Sequence, residues 1–355
     1  MNALGCRIAA LIAAEGPLPL AQYMQLCQFD PAGGSYAARQ TIGRDFITAP
    51  EISQTFGELI GLFVVQCWHD QGRPAQPLLV ELGPGRGTLM SDALRAIAAA
   101  APEFLADADV ALVEASPVLE AAQREKLKTA AAEIAWYGNF GEELSGRPLF
   151  LLANEFFDCL PLRQYVKTAR GWCERMVGLE DGKLAFVLNP VPNPLVDRAD
   201  APHGAVRETA PAARTLAGEI GRIVAAQGGA GLIIDYGYDG PGYGETLQAI
   251  AAGRPAQVLA EPGEADLSAH VDFAALAAAA RAGGAAVFGP VTQCNFLADL
   301  GIGPRAERLM LANPLQAHQI AAAVDRLVNP AVMGMLFKAL ALMPPGTQPP
   351  GFAPC

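Results

Sequence analysis

The hydrophobic pattern changes period along the chain. Up to about residue 75, apolar positions recur every three or four residues. Stretches 2–14, 20–27 and 56–70 are predicted as helices, the last with Phe56, Leu59, Ile60, Phe63, Val64 and Cys67 on one face. The polar stretch 30–53 between them is long enough to suggest a functional loop. From Leu78 onward, short apolar runs alternate with helical stretches. Strands are predicted at 78–82, 110–113, 134–137, 149–153, 230–234, 285–288 and 335–342. Helices are predicted at 88–101, 117–127, 207–227, 271–281, 293–300 and 314–327, with 101–109 as a loop insertion. Segments 162–166, 172–179 and 183–188 alternate with period two and read as antiparallel strands, with a proline-rich loop at 190–202.

Strands alternating with helices specify an α/β fold with a doubly wound, mostly parallel sheet. The expected organisation is a helical or lid region at 1–75 and a sheet domain at 76–343. That domain carries a β insertion at about 162–190 and an irregular one at about 238–270, before a tail at 344–355.

In such a sheet, ligands sit at the carboxyl ends of the strands, and the polar clusters fall there. Glu81-Leu82-Gly83-Pro84-Gly85-Arg86-Gly87 joins an apolar strand to a helix. Its glycines permit positive φ and let a ligand approach bare backbone beside a helix N-terminus. Glu114 ends the next strand, where ribose hydroxyls are gripped, about 30 residues after Gly83 rather than the ~20 of a dinucleotide fold. The loop also lacks the later glycine of the dinucleotide fingerprint, which suits a mononucleoside ligand. Asn154-Glu155-Phe156-Phe157-Asp158 ends the fourth strand. If its turn is helical, Glu155 and Asp158 share a face and form a carboxylate pair for a guanidinium. The plainer alternative is helix capping, which Asp158 alone would satisfy. Asp235-Tyr236-Gly237 ends a further strand, and His270 and Asp272 flank Val271 in a pattern that suits either acid–base chemistry or a helix cap.

Composition narrows the class. The 355 residues carry 52% hydrophobic and 17% charged positions, a globular balance. The net charge of -11 argues against nucleic acid or an anionic membrane surface as partner. Seven cysteines lie without a C-x-x-C pair and four histidines are dispersed, so no metal site is expected. No apolar run reaches the ~18 residues of a membrane span, and the amino terminus lacks the basic region of a signal peptide. A cytoplasmic location is the resulting expectation. No serine elbow or P-loop is present, which takes support from hydrolase and NTPase readings.

These residues stand in strings that resemble the MidA-like methyltransferases, a bacterial and mitochondrial family. The strings are Asp45-Phe46-Ile47-Thr48-Ala49-Pro50-Glu51-Ile52-Ser53, the segment 81–87, and Val113-Glu114-Ala115-Ser116-Pro117. They continue with 154–161, Ile234-Asp235-Tyr236-Gly237, 262–273, and Thr292-Gln293 ahead of Phe296-Leu297. The resemblance runs from about residue 5 to about 343. Two departures stand out: 39–46 is shorter than the family pattern, and Gly253-Arg254 replaces a histidine-containing stretch. The resemblance implies a class I, seven-stranded-type methyltransferase sheet that uses S-adenosylmethionine. For the family's mitochondrial members it implies arginine methylation of a respiratory complex I subunit and a part in that complex's assembly.

The cofactor side is assigned to Glu81, Gly83, Gly85, Gly87, Glu114, Asn139, Phe140 and Asn154, with Asp45, Thr48 and Ser53 from a loop expected to close over it. Glu155 and Asp158 are the candidate catalytic pair, and Asp235, Tyr236, His270 and Asp272 the acceptor side. A protein substrate is the expected partner. An NAD(P)-dependent oxidoreductase and a non-catalytic assembly or binding protein that keeps the fold are the alternatives.

Overall fold

The computed structural model describes residues 1–38, 48–194, 201–240 and 242–352, and divides into two compact units. The larger comprises 47–157, 214–239 and 273–355, and the smaller the remaining segments.

Seven strands form the sheet of the larger unit: β1 (Leu78–Leu82), β2 (Asp109–Val113), β3 (Ile134–Tyr137), β4 (Leu149–Asn154), β5 (Gly229–Tyr238), β6 (Ala286–Thr292) and β7 (Phe337–Met343). Their spatial order is β6-β7-β5-β4-β1-β2-β3. Neighbours from β5 through β4, β1 and β2 to β3 pair in parallel, whereas β7 runs antiparallel to both β5 and β6. Every residue of β1 and β4 is buried, as expected of central parallel strands covered on both faces. The reversal of chain order beside β1 creates a switch point, and the carboxyl ends of β1, β2 and β4 open there.

Helices α1 (Ala49–Ile52), α2 (Gln54–Asp70), α3 (Thr88–Ala100), α4 (Pro117–Lys126), α5 (Phe273–Ala282), α6 (Gln293–Asp299), α7 (Ile302–Ala312) and α8 (Ala317–Val328) belong to this unit, as do the short helix Pro102–Asp107 and, from Arg214 on, the helix Pro211–Gln227. Helix α3 buries Leu89, Met90, Ala93, Leu94 and Ile97, the one-sided spacing of an amphipathic helix. Phe56, Leu59, Ile60, Phe63 and Val64 of α2 join Leu89, Met90, Leu94 and Ile97 in a single apolar core with Leu79, Phe150 and Leu232 of the sheet. The boundary expected near residue 75 therefore falls inside one packed body. Helix α7 and the short helix Pro102–Asp107 were not predicted. The latter stands where a loop insertion was expected, and is started by Pro102 and fixed by burial of Phe104.

The smaller unit buries Leu4, Ile8, Ile12, Leu20, Tyr23 and Met24 of helices Ala3–Glu15 and Leu20–Phe29 in its own apolar cluster. Its five-stranded sheet runs in the order Leu18–Pro19, Gly171–Glu180, Arg163–Thr168, Val206–Thr209, with Lys183–Pro192 paired to Gly171–Glu180. The β insertion thus extends beyond 190. The helix predicted from residue 207 instead begins at Pro211, because Val206–Thr209 is a strand. The buried Glu208 carboxylate accepts from Gln164 Nε2 and from the Thr246 and Leu247 N–H groups, which holds that strand in place. The segment expected to be irregular at 238–270 contains a three-stranded sheet of Gln248–Ala251, Arg254–Ala256 and Asp266–Ser268. Its strands are only three or four residues long, too short for periodicity to reveal.

Candidate active site

The glycine loop between β1 and α3 has the backbone that the sequence implied. Gly83, Gly85 and Gly87 adopt φ of 58°, 56° and 80°, the left-handed region that side chains with a Cβ disfavour. At Gly83 a Cβ would also meet the Phe156 ring at 2.7 Å, so glycine is required there twice over. The loop delivers the chain into α3, whose first-turn N–H groups face the site end of the sheet.

Glu81 lies 3% exposed near the end of β1, and burial raises its pKa to about 8, against the opposing hydrogen bond from the Met90 N–H. Its Oε2 is buried without a hydrogen-bond partner. On neighbouring β4, Asn154 Oδ1 is likewise buried and unpartnered. Two orphaned acceptors at the carboxyl ends of adjacent strands are the counterpart of donors that a ligand brings, since such atoms are seldom left unsatisfied. Glu114, just after β2, accepts from the Ser116 N–H at 2.8 Å and from Gln123 Nε2 at 3.0 Å. Burial raises its pKa to about 7.

Gln123 escaped the sequence reading. It is fully buried on α4, and its Nε2 also donates to the Gly85 carbonyl at 2.8 Å, while its Oε1 accepts from Trp136 Nε1 at 3.0 Å. One amide thereby ties the glycine loop, Glu114 and β3 together. The available signal was a glutamine four residues after Leu119, on the buried face of an amphipathic helix.

Glu155 follows β4 with φ of 50°, a strained value for a residue with a side chain. Its Oε1 accepts from the Ala49 N–H at 2.9 Å and from Asn154 Nδ2 at 3.2 Å. Burial raises its pKa to about 7, opposed by these two donors and by the charge of Arg326 on α8. No helix spans 155–158, so the one-turn spacing expected to put Glu155 and Asp158 on a common face is absent. The turn is shaped instead by Asp235. Its Oδ2 accepts from the N–H groups of Phe156 and Phe157 at 3.2 and 2.9 Å, and its Oδ1 from the Tyr236 N–H at 2.9 Å. Asp235, expected on the acceptor side, thus holds the backbone of the acidic turn and of its neighbour Tyr236.

The remaining candidates fall as follows. Asn139 is exposed and Phe140 half-buried just beyond β3. Thr48 precedes α1 without a side-chain capping bond, whereas the Ser53 hydroxyl accepts from the Thr55 N–H and caps α2. Tyr236 packs edge-on to Phe337. Asp158, His270 and Asp272 belong to the smaller unit, where Ala269 N–H donates to the Asp158 carbonyl and His270 N–H to Thr246 Oγ1. Asp45 and the shortened segment before it lie outside the described residues.

A family model for S-adenosyl-L-methionine-dependent methyltransferases matches residues 59–291, which include the glycine loop, Glu114 and the acidic turn. The chain belongs to that family. A Burkholderia thailandensis protein crystallised with S-adenosyl-homocysteine is 30% identical and superposes with a TM-score of 0.84, over 99% of this chain and 93% of that one. Human protein arginine methyltransferase NDUFAF7, mitochondrial, is 36% identical across 94% of this chain and 81% of its own length. The zebrafish (Danio rerio) protein of the same name is 34% identical across 95% of this chain and 86% of its own. S-adenosylmethionine is the cofactor, and the orphaned acceptors and the glycine cradle fit it. Membership removes the oxidoreductase alternative. The names also correct the expected cytoplasmic location, because these relatives are mitochondrial proteins. Composition and the character of residues 2–15 carried that expectation, and neither distinguishes the two compartments. Among the described residues no helix is long and apolar enough to cross a membrane.

Proposed function

We propose that this methyltransferase modifies an arginine side chain of a protein, and that the protein is a subunit of respiratory complex I. The arginine acceptor is supported by the relatives named protein arginine methyltransferase, matched over nearly the whole chain. The complex I subunit follows from the resemblance of the sequence motifs. The observation that carries the acceptor chemistry is Glu155, a carboxylate held at the carboxyl end of β4 on strained backbone and beside the cofactor-side Asn154.

The bound cofactor supplies an activated methyl group, so the protein's work is placement and the exclusion of water. The glycine loop and the α3 N-terminus receive the amino-acid half of the ligand, with Glu81 Oε2 and Asn154 Oδ1 accepting from its donors. Glu114 accepts from ribose hydroxyls. Glu155 in its ionised form receives the acceptor guanidinium by charge-assisted hydrogen bonds and turns one nitrogen toward the methyl donor. Asp235 fixes the turn that aims Glu155.

The test is incubation with complex I subunits and methyl-labelled S-adenosylmethionine, followed by amino-acid analysis of the labelled product. Methylarginine is expected. Label on another residue type overturns the arginine reading. Tight cofactor binding with no label on any subunit returns the assembly or binding module.

A further inference from the structure

Helix α1 touches both parts of the larger unit's site. At its first residue, Ala49 N–H donates to Glu155 Oε1 at 2.9 Å. Two residues on, Glu51 Oε1 accepts from Thr88 Oγ1 at 2.5 Å, and Glu51 Oε2 lies 3.8 Å from the Arg86 guanidinium. Arg86 belongs to the glycine loop and Thr88 is the first residue of α3. Helix α1 is a single turn of four residues, closed by the Glu51 N–H on the Thr48 carbonyl. An anchor at Glu51 therefore fixes Ala49 less than one turn away.

We propose that Glu51 is a positioning residue for methyl transfer: by clasping the glycine loop through Thr88 and Arg86, it holds the Ala49 N–H on Glu155 and so sets the acceptor carboxylate. The proposal rests on the reading that Glu155 receives the acceptor. Glu155 needs such a support because its backbone is strained and its side chain has few donors. Those that favour its ionised form are the Ala49 N–H, Asn154 Nδ2 and, through space, Arg326. Removing the Ala49 donor leaves burial less opposed, so the carboxyl would hold its proton to higher pH. A protonated Glu155 carries no charge for a guanidinium. Arrival of the cofactor at the glycine loop and readiness of the acceptor carboxylate are thus joined through one turn of helix.

The test uses Glu51→Ala and, should that variant fold poorly, Thr88→Val, each beside wild type and Glu155→Gln. Amide exchange at Ala49 is measured in the cofactor-free protein. The initial rate of label transfer to complex I subunits is measured from pH 6 to 9. Loss of the clasp should lower protection of the Ala49 amide about tenfold and move the acid limb of the rate profile up by about one pH unit. A role confined to folding would lower the rate at every pH without moving that limb. Unchanged protection and an unmoved limb in a folded variant overturn the proposal. A fully active Glu155→Gln overturns the acceptor reading instead, and the Ala49 exchange then decides the clasp alone.

Discussion

Glu155→Gln separates the acceptor from the cofactor more cleanly than any other single change. The amide keeps the size of the carboxyl and can still accept from the Ala49 N–H at the same position. What disappears is the charge. Truncating one side of a desolvated carboxylate–guanidinium pair costs about 2–5 kcal/mol. Because Glu155 is half-buried, the lower part of that range applies, about 3 kcal/mol. At ~1.4 kcal/mol per tenfold, methyl transfer should fall by roughly a hundredfold. Calorimetric affinity for S-adenosyl-homocysteine should stay within about threefold of wild type, since Asn154 Oδ1 and the glycine loop are untouched. The wild-type rate should also decline as pH falls through about 7, where Glu155 takes up its proton, and the variant should lack that decline. A variant within tenfold of wild-type turnover, or one that loses cofactor affinity in step with turnover, refutes the assignment.

Glu114→Ala should weaken S-adenosylmethionine binding by about 1–3 kcal/mol, the loss expected for charge-assisted hydrogen bonds to ribose, as read by calorimetry. Because the free Glu114 carboxyl titrates near 7, wild-type binding should release protons below that pH, visible as a dependence of binding heat on buffer. Gly85→Val forces a β-branched residue to φ of 56° and should abolish cofactor binding; retained affinity in a folded variant would remove the loop from the site. Glu81, Glu114 and Glu155 all have folded pKa values raised by burial, to about 8, 7 and 7. Their contribution to stability is complete below the unfolded value of about 4.3 and is lost as pH rises through 7–8. Glu81→Gln should therefore gain stability relative to wild type between pH 5 and 8 in denaturant titrations without ligand.

The order of strands, the glycine loop and the acids at strand ends could be read from the chain because each rests on local chemistry. Four apolar residues out of five specify β1, and three glycines within five positions specify the loop. The two edges of that legibility are instructive. Asp235 looks from sequence like Glu114, an acid ending a buried strand, yet it accepts from two backbone N–H groups of the acidic turn and from that of its neighbour Tyr236. Only tertiary structure distinguishes the surroundings of the two acids. Gln123 was invisible for the converse reason: its partners come from the glycine loop, β2 and β3, none of which is near it in helical register. Glu155 reads from sequence as a strand-end acid and does follow β4, but the helical pairing with Asp158 assumes a conformation that φ of 50° excludes.

The place of β7 bears on how the protein is made. It is the last of the seven strands in the chain, yet it lies between β5 and β6 and pairs antiparallel with both. A chain emerging from the ribosome can lay β1 to β5 together as they appear, but β6 has no partner until residues 337–343 arrive. Until then β5 keeps an open, apolar edge that invites pairing with other molecules. The larger unit's sheet is therefore complete only once the final strand enters between β5 and β6.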